Sequence, residues 1–130
     1  SNMPNNYSNI KGRRSGHTFL ALPHALLNQP KYIALSIYAR ALLVDIAAQY
    51  NGRNNGDLCA SAGLMKKRGW SKSTLERKVA ELLSTGLLEK TRQGGRNKCN
   101  LDAITWQPID ECNGKLDVKP TNKASNLWRT

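Results

Sequence analysis

The segment that decides how this chain folds is SKSTLERKVAELLSTGLLEKTRQGG, residues 71–95. Leu75, Val79, Leu82 and Leu83 recur at helical spacing, so a helix from Ser71 to Thr85 turns one apolar face to a core. Ser73, followed three residues later by Glu76, reads as a capping box, and Gly86 supplies the left-handed stop that ends the helix. Its free face carries Lys72, Arg77 and Lys78. Beyond Gly86, the runs 87–92 and 98–106 read as two strands around the tip Gln93-Gly94-Gly95-Arg96-Asn97. Arg92, Arg96 and Lys98 make the outer half of this hairpin basic, whereas Leu101, Ala103 and Ile104 turn back to the core.

Outward from that segment, Gly69 breaks a short helix that Ser61 caps and that runs to about Lys67. Asp57-Leu58-Cys59 is long enough only for a short strand, and residues 51–56 form a polar turn. Ser36 caps a helix from Ile37 to Tyr50 that is apolar nearly all the way round, with Arg40, Asp45 and Gln49 as its only charged or amide side chains. Such a helix is predicted to be buried and central. Trp70 and Trp106 are expected as core anchors. Thr18 to Leu22 reads as a brief strand, followed between Pro23 and Pro30 by about two turns of helix.

The ends are different in kind. Residues 1–17 read as a disordered basic arm with Lys11, Arg13 and Arg14, in which Ser1-Asn2 ahead of Met3 is a cloning remnant. Residues 108–130 read as a flexible or loosely docked tail ending in Leu127-Trp128-Arg129, with Trp128 docking either on a partner or back on its own domain. One domain, 18–107, remains. Its class is α+β, mainly α with a small β-hairpin.

Charge narrows the function. Lys and Arg number 20 against 9 acidic residues, a formal charge of +11, and ten basic residues against three acidic ones fall between Lys66 and Lys98. This concentration favours a polyanionic partner. Cys59, Cys99 and Cys112 are odd in number and lack metal spacing, which fits reduced thiols in the cytoplasm, with Cys59 and Cys99 packing quietly. No apolar run approaches the roughly 20 residues that span a bilayer, so no membrane partner is expected. The two histidines lie near the N-terminus, and the adjacent Asp110 and Glu111 tend to point apart. Neither a phosphate loop nor a dinucleotide fingerprint occurs. The reading is therefore no enzyme, no metal and no cofactor.

The order of long helix, short strand, short helix, tight turn, capped helix, glycine stop and basic hairpin resembles the winged helix-turn-helix family, over roughly Leu35 to Trp106. In detail it is similar to small phage and prophage helix-turn-helix proteins, some of them linked to replication initiation. The resemblance implies a double-stranded DNA partner, with helix 71–85 in the major groove and the hairpin as the wing. Lys72, Ser73, Thr74 and Arg77 would reach base edges, with Arg77 the leading candidate for guanine, while Lys78 would meet phosphate. Lys66, Lys67 and Arg68 would lie on the backbone, and Arg92, Arg96 and Lys98 along phosphates or in the adjacent minor groove. Glu76 and Glu81, on the same helix, would oppose phosphate. Transcription regulation and replication initiation share this physics. An alternative is an interaction module that recruits a replication or regulatory protein through Leu127 and Trp128; single-stranded binding is a third. The chain is expected to be a monomer or weak homodimer.

Overall fold

The computed structural model describes residues 17–129, so the basic arm expected over residues 1–17 lies outside the described residues but for His17. Within them the architecture is α+β: helices packed with a two-stranded antiparallel hairpin. Helices α1 (His24–Leu27) and α2 (Pro30–Ile33) are single turns. Pro30 does not stop a helix here. It opens α2, where its missing N–H leaves nothing unsatisfied. No strand forms over Thr18 to Leu22; this segment is irregular, and Trp106 Nε1 donates to the Ala21 carbonyl (3.1 Å).

Helix α3 (Ile37–Ala47) is capped by Ser36, whose hydroxyl accepts from Ala39 N. It ends three residues earlier than expected, and it is not buried all round. Ala39, Leu42, Leu43, Ile46 and Ala47 face the core, but Ile37 is 73% exposed, Tyr38 60% and Val44 45%. A chain of this size has one core, and α3 lies on its side rather than through its middle.

Helix α4 (Ala62–Met65), capped by Ser61, runs into a 3-10 turn at Lys66–Arg68 and ends at Gly69 with φ +89. Helix α5 (Lys72–Thr85) follows. Its N-cap is Ser71, whose hydroxyl accepts from Thr74 N. The capping box expected at Ser73 and Glu76 does not form; Ser73 is already helical, and Glu76 instead pairs with Lys72 (2.8 Å). Leu75 and Leu82 are buried and Val79 and Leu83 pack against the core, while Gly86 ends α5 at φ +80.

The hairpin comprises β1 (Leu88–Arg92) and β2 (Leu101–Ile104). They pair with Leu88 opposite Ile104 and Lys90 opposite Asp102, and the register shifts between Lys90 and Arg92. The expected strand at Asp57-Leu58-Cys59 shrinks to one bridge, Leu58 with Asp102.

From Pro108 the chain runs over the domain and packs on it. Asp117 N donates to Thr91 O, Thr121 N to Ile109 O and Asn126 N to Thr105 O. Trp128 is only 1% exposed and belongs to the main core, so of its two expected docking places it takes its own domain. Leu127 passes so close to the C-cap of α5 that a Cβ on Gly86 would collide with its carbonyl. A second closure is made by Asn55, fully buried in the loop after α3. Its Nδ2 donates to the carbonyls of Ile104, Gln107 and Pro108, and its Oδ1 accepts from Ile104 N (2.9 Å).

Because Trp128 fills core volume, Trp128→Ala is expected to cost about 3–5 kcal/mol of unfolding free energy. Leu127→Ala, at a position 48% exposed, is expected to cost under about 1 kcal/mol. Urea denaturation of the two variants checks this; equal losses would contradict a docked tail.

Candidate nucleic-acid interface

The orientation of α5 follows from two acidic side chains, Asp45 and Glu81. On α3, Asp45 Oδ1 accepts from Arg68 (3.0 Å) and its Oδ2 accepts from Trp70 Nε1 (2.8 Å), tying the turn between α4 and α5 to α3. On α5, Glu81 reaches the start of α3: Ser36 N–H donates to Oε2 (2.9 Å) and the Ser36 hydroxyl to Oε1 (3.0 Å). The Ser36 N–H, with help from the Ser36 hydroxyl and Lys78, holds the Glu81 carboxyl below the usual carboxylate range. Glu81 therefore does not lie on the open face of α5, where it was expected to oppose phosphate.

What remains outward on α5 is a strip of Ser73, Arg77, Ala80 and Ser84, all exposed, bordered by the Lys72–Glu76 pair. Arg77 donates to Thr74 Oγ1 (3.3 Å), one turn back, and makes no ion pair among the described residues. Lys78 is not on this strip. Its side chain is 17% exposed and paired with Glu81 (3.3 Å), because its helical position faces α3.

Two grooves flank α5. One, about 610 Å³, is lined by Tyr38, Arg68, Trp70, Thr74, Arg77 and Lys78, so three cations from two elements meet beside an exposed tyrosine. The other, about 430 Å³, separates α5 from the hairpin and has Lys72, Glu76 and Val79 on one wall and Lys90, Asn100 and Asp102 on the other. Tyr38 went unnoticed in the sequence because its helix reads as buried throughout. Before α5, Lys66 and Lys67 are exposed, while Arg68 is held by Asp45.

At the hairpin, Arg96 and Lys98 are exposed at the tip, where Gly95 and Lys98 exchange backbone hydrogen bonds. Arg92 is not with them. Its guanidinium is folded onto the Cys99 carbonyl (3.0 Å) and stitches the base of the tip loop. Leu127 and Trp128, the expected partner tail, lie at the C-terminal end of α5, with Trp128 buried and Arg129 stacked on its ring (4.7 Å).

Asp102 on β2 is 2% exposed, and its Oδ1 has no hydrogen-bond partner among the described residues. Burial pushes its pKa up to about 6, and Lys90, its cross-strand neighbour, lowers it only in part. No protein-family model, curated protein or solved structure matches the chain.

The Asp102 carboxyl binds its proton more tightly folded than unfolded, where its pKa is about 3.9. Its contribution to stability is therefore full below about pH 4 and is lost as pH rises through about 6, a change on the order of 3 kcal/mol. Asp102→Asn is expected to flatten unfolding free energy between pH 4 and 7 and to stabilise the protein at pH 8 by about 1–3 kcal/mol. Denaturation across this pH range checks both; an unchanged slope would contradict the assignment.

Proposed function

We propose that this chain is a winged helix-turn-helix protein that binds double-stranded DNA, with α5 in the major groove and the hairpin tip on phosphates or in the adjacent minor groove. The observation that carries the reading is the outward strip of α5. It is narrow and uncrossed by unpaired acids, and it carries Arg77 and Ser73 in its first turns. Both carboxylates of this helix are engaged elsewhere, Glu81 on α3 and Glu76 on Lys72. Lys66, Lys67, Arg96 and Lys98 supply exposed positive charge on the elements before and after it. Phosphates are met by such residues without regard to sequence, and Arg77 is suited to guanine.

The groove beside Tyr38 extends this surface along the α3 side of α5, and Arg77 is the cation in it that makes no ion pair among the described residues, since Asp45 holds Arg68 and Glu81 holds Lys78. The role is that of a cytoplasmic phage or prophage DNA-binding protein in transcription regulation or replication initiation, acting without catalysis or cofactor, as a monomer or weak homodimer. Recruitment of a replication or regulatory protein by Trp128 is the weaker reading, because the ring would have to leave the core.

In fluorescence anisotropy with duplex oligonucleotides at moderate salt, Arg77→Ala combined with Arg96→Ala is expected to weaken binding by tenfold or more. The far-ultraviolet circular dichroism should stay unchanged, since both side chains are exposed. Unaltered affinity in the double variant would rule out this surface.

A further inference from the structure

Cys59 and Cys99 are 40 residues apart in sequence, yet the Cys59 thiol donates a hydrogen bond to the Cys99 sulfur at 3.1 Å. Neither backbone is loose. Gln49, in the turn after α3, grips Cys59, its Oε1 accepting from Cys59 N (2.9 Å) and its Nε2 donating to Cys59 O (2.7 Å). Arg92 holds Cys99 by its carbonyl (3.0 Å) and also donates to its sulfur (3.9 Å). Cys59 is further fixed by its neighbour Leu58, which bridges to Asp102 on β2. Both cysteines are half-buried, so a small oxidant reaches the pair, whereas Cys112 donates to the Asn55 carbonyl (3.6 Å).

We infer that Cys59 and Cys99 form a peroxide-sensitive dithiol that closes to an intramolecular disulfide, joining the segment before α4 to the end of the tip loop just before β2. The Arg92 guanidinium places positive charge beside the sulfur that must carry negative charge while it attacks. Burial, and then the hydrogen bond to Cys99, push the Cys59 thiol up, so Cys59 is the less suited of the two to attack peroxide first. In the first step the Cys99 sulfur attacks hydrogen peroxide, the O–O bond breaks, and a sulfenic acid and one water result. In the second, the Cys59 sulfur attacks that sulfenic sulfur; the S–O bond breaks, the S–S bond forms, and the hydroxyl leaves with the Cys59 proton as a second water. Two thiols are oxidised by two electrons and one peroxide is reduced. The sulfurs need to approach by about 1 Å to reach bonding distance, since a disulfide is about 2.05 Å long.

The disulfide spans 40 residues of chain, so it removes much freedom from the unfolded state and fixes the end of the tip loop against the segment before α4. This inference does not depend on DNA binding.

The test is mild hydrogen peroxide treatment of the full chain under non-reducing conditions. Expected are a mass loss of two hydrogens in the monomer, a fall from three free thiols to one and a peptide linking Cys59 to Cys99. The melting temperature should rise on the order of 10 °C, reversed by dithiothreitol. Cys112→Ser should retain all of this except for its one fewer thiol, and Cys59→Ser should lose the intramolecular link. The inference is overturned if the wild-type protein links through Cys112, forms only sulfinic acid at separate cysteines, or keeps three free thiols.

Discussion

Two carboxylates set the angle at which α5 crosses α3, and the rest of the surface depends on that angle. Asp45 holds the turn that leads into α5, through Arg68 and the Trp70 indole. Glu81 holds the later part of the helix against the start of α3, through the Ser36 backbone and hydroxyl. Hydrogen bonds to charged groups contribute about 1.5–3 kcal/mol when shielded and less when partly exposed, so these contacts orient more than they stabilise. Leu75 and Leu82 provide the apolar burial between them, while the acids select one orientation among those that such burial allows. Glu81 also leaves the outward face as a result.

The far end of the domain is closed differently. Asn55 joins the loop after α3 to the chain leaving β2, satisfying the buried carbonyl and N–H of Ile104 and the half-buried carbonyls of Gln107 and Pro108. Trp128 fills the core, and Leu127 passes over the C-cap of α5, where only the bare Gly86 lets the backbone approach so closely. Buried polar groups of this kind are costly when unpaired, and Asn55 is fully paired. The tail is thus part of the folded unit, and α5 is fixed at both ends.

Much of this was legible in the sequence. The α3, α4 and α5 order, the helix break at Gly69, the left-handed stop at Gly86, and the hairpin follow from local periodicity and turn chemistry, which a single chain displays. Long-range pairing leaves no such local mark. Neither Glu81 reaching Ser36 nor Asp45 reaching Trp70 has a periodic signature, so from sequence Glu76 pairs with Ser73 and Glu81 reads as a repulsive charge. The same limit hid the contact of Cys59 with Cys99 and the docking of Trp128, whose surrounding residues are polar. At the proposed interface, Arg77, Ser73, Arg96 and Lys98 lie in the open as expected. Arg92, Arg68 and Lys78 instead spend charge on contacts within the fold.

In the proposed complex, the positive charge left open around α5 meets the phosphates of a duplex. The most direct measurement is the affinity of the wild-type protein for a random duplex and for a matched single strand across a salt series. Tighter binding to the duplex and a steep fall with salt are expected. A surface making five or so phosphate contacts gives a log–log slope near −4 or steeper. No binding to either form at low salt, or equal binding to both with a shallow slope, would contradict it.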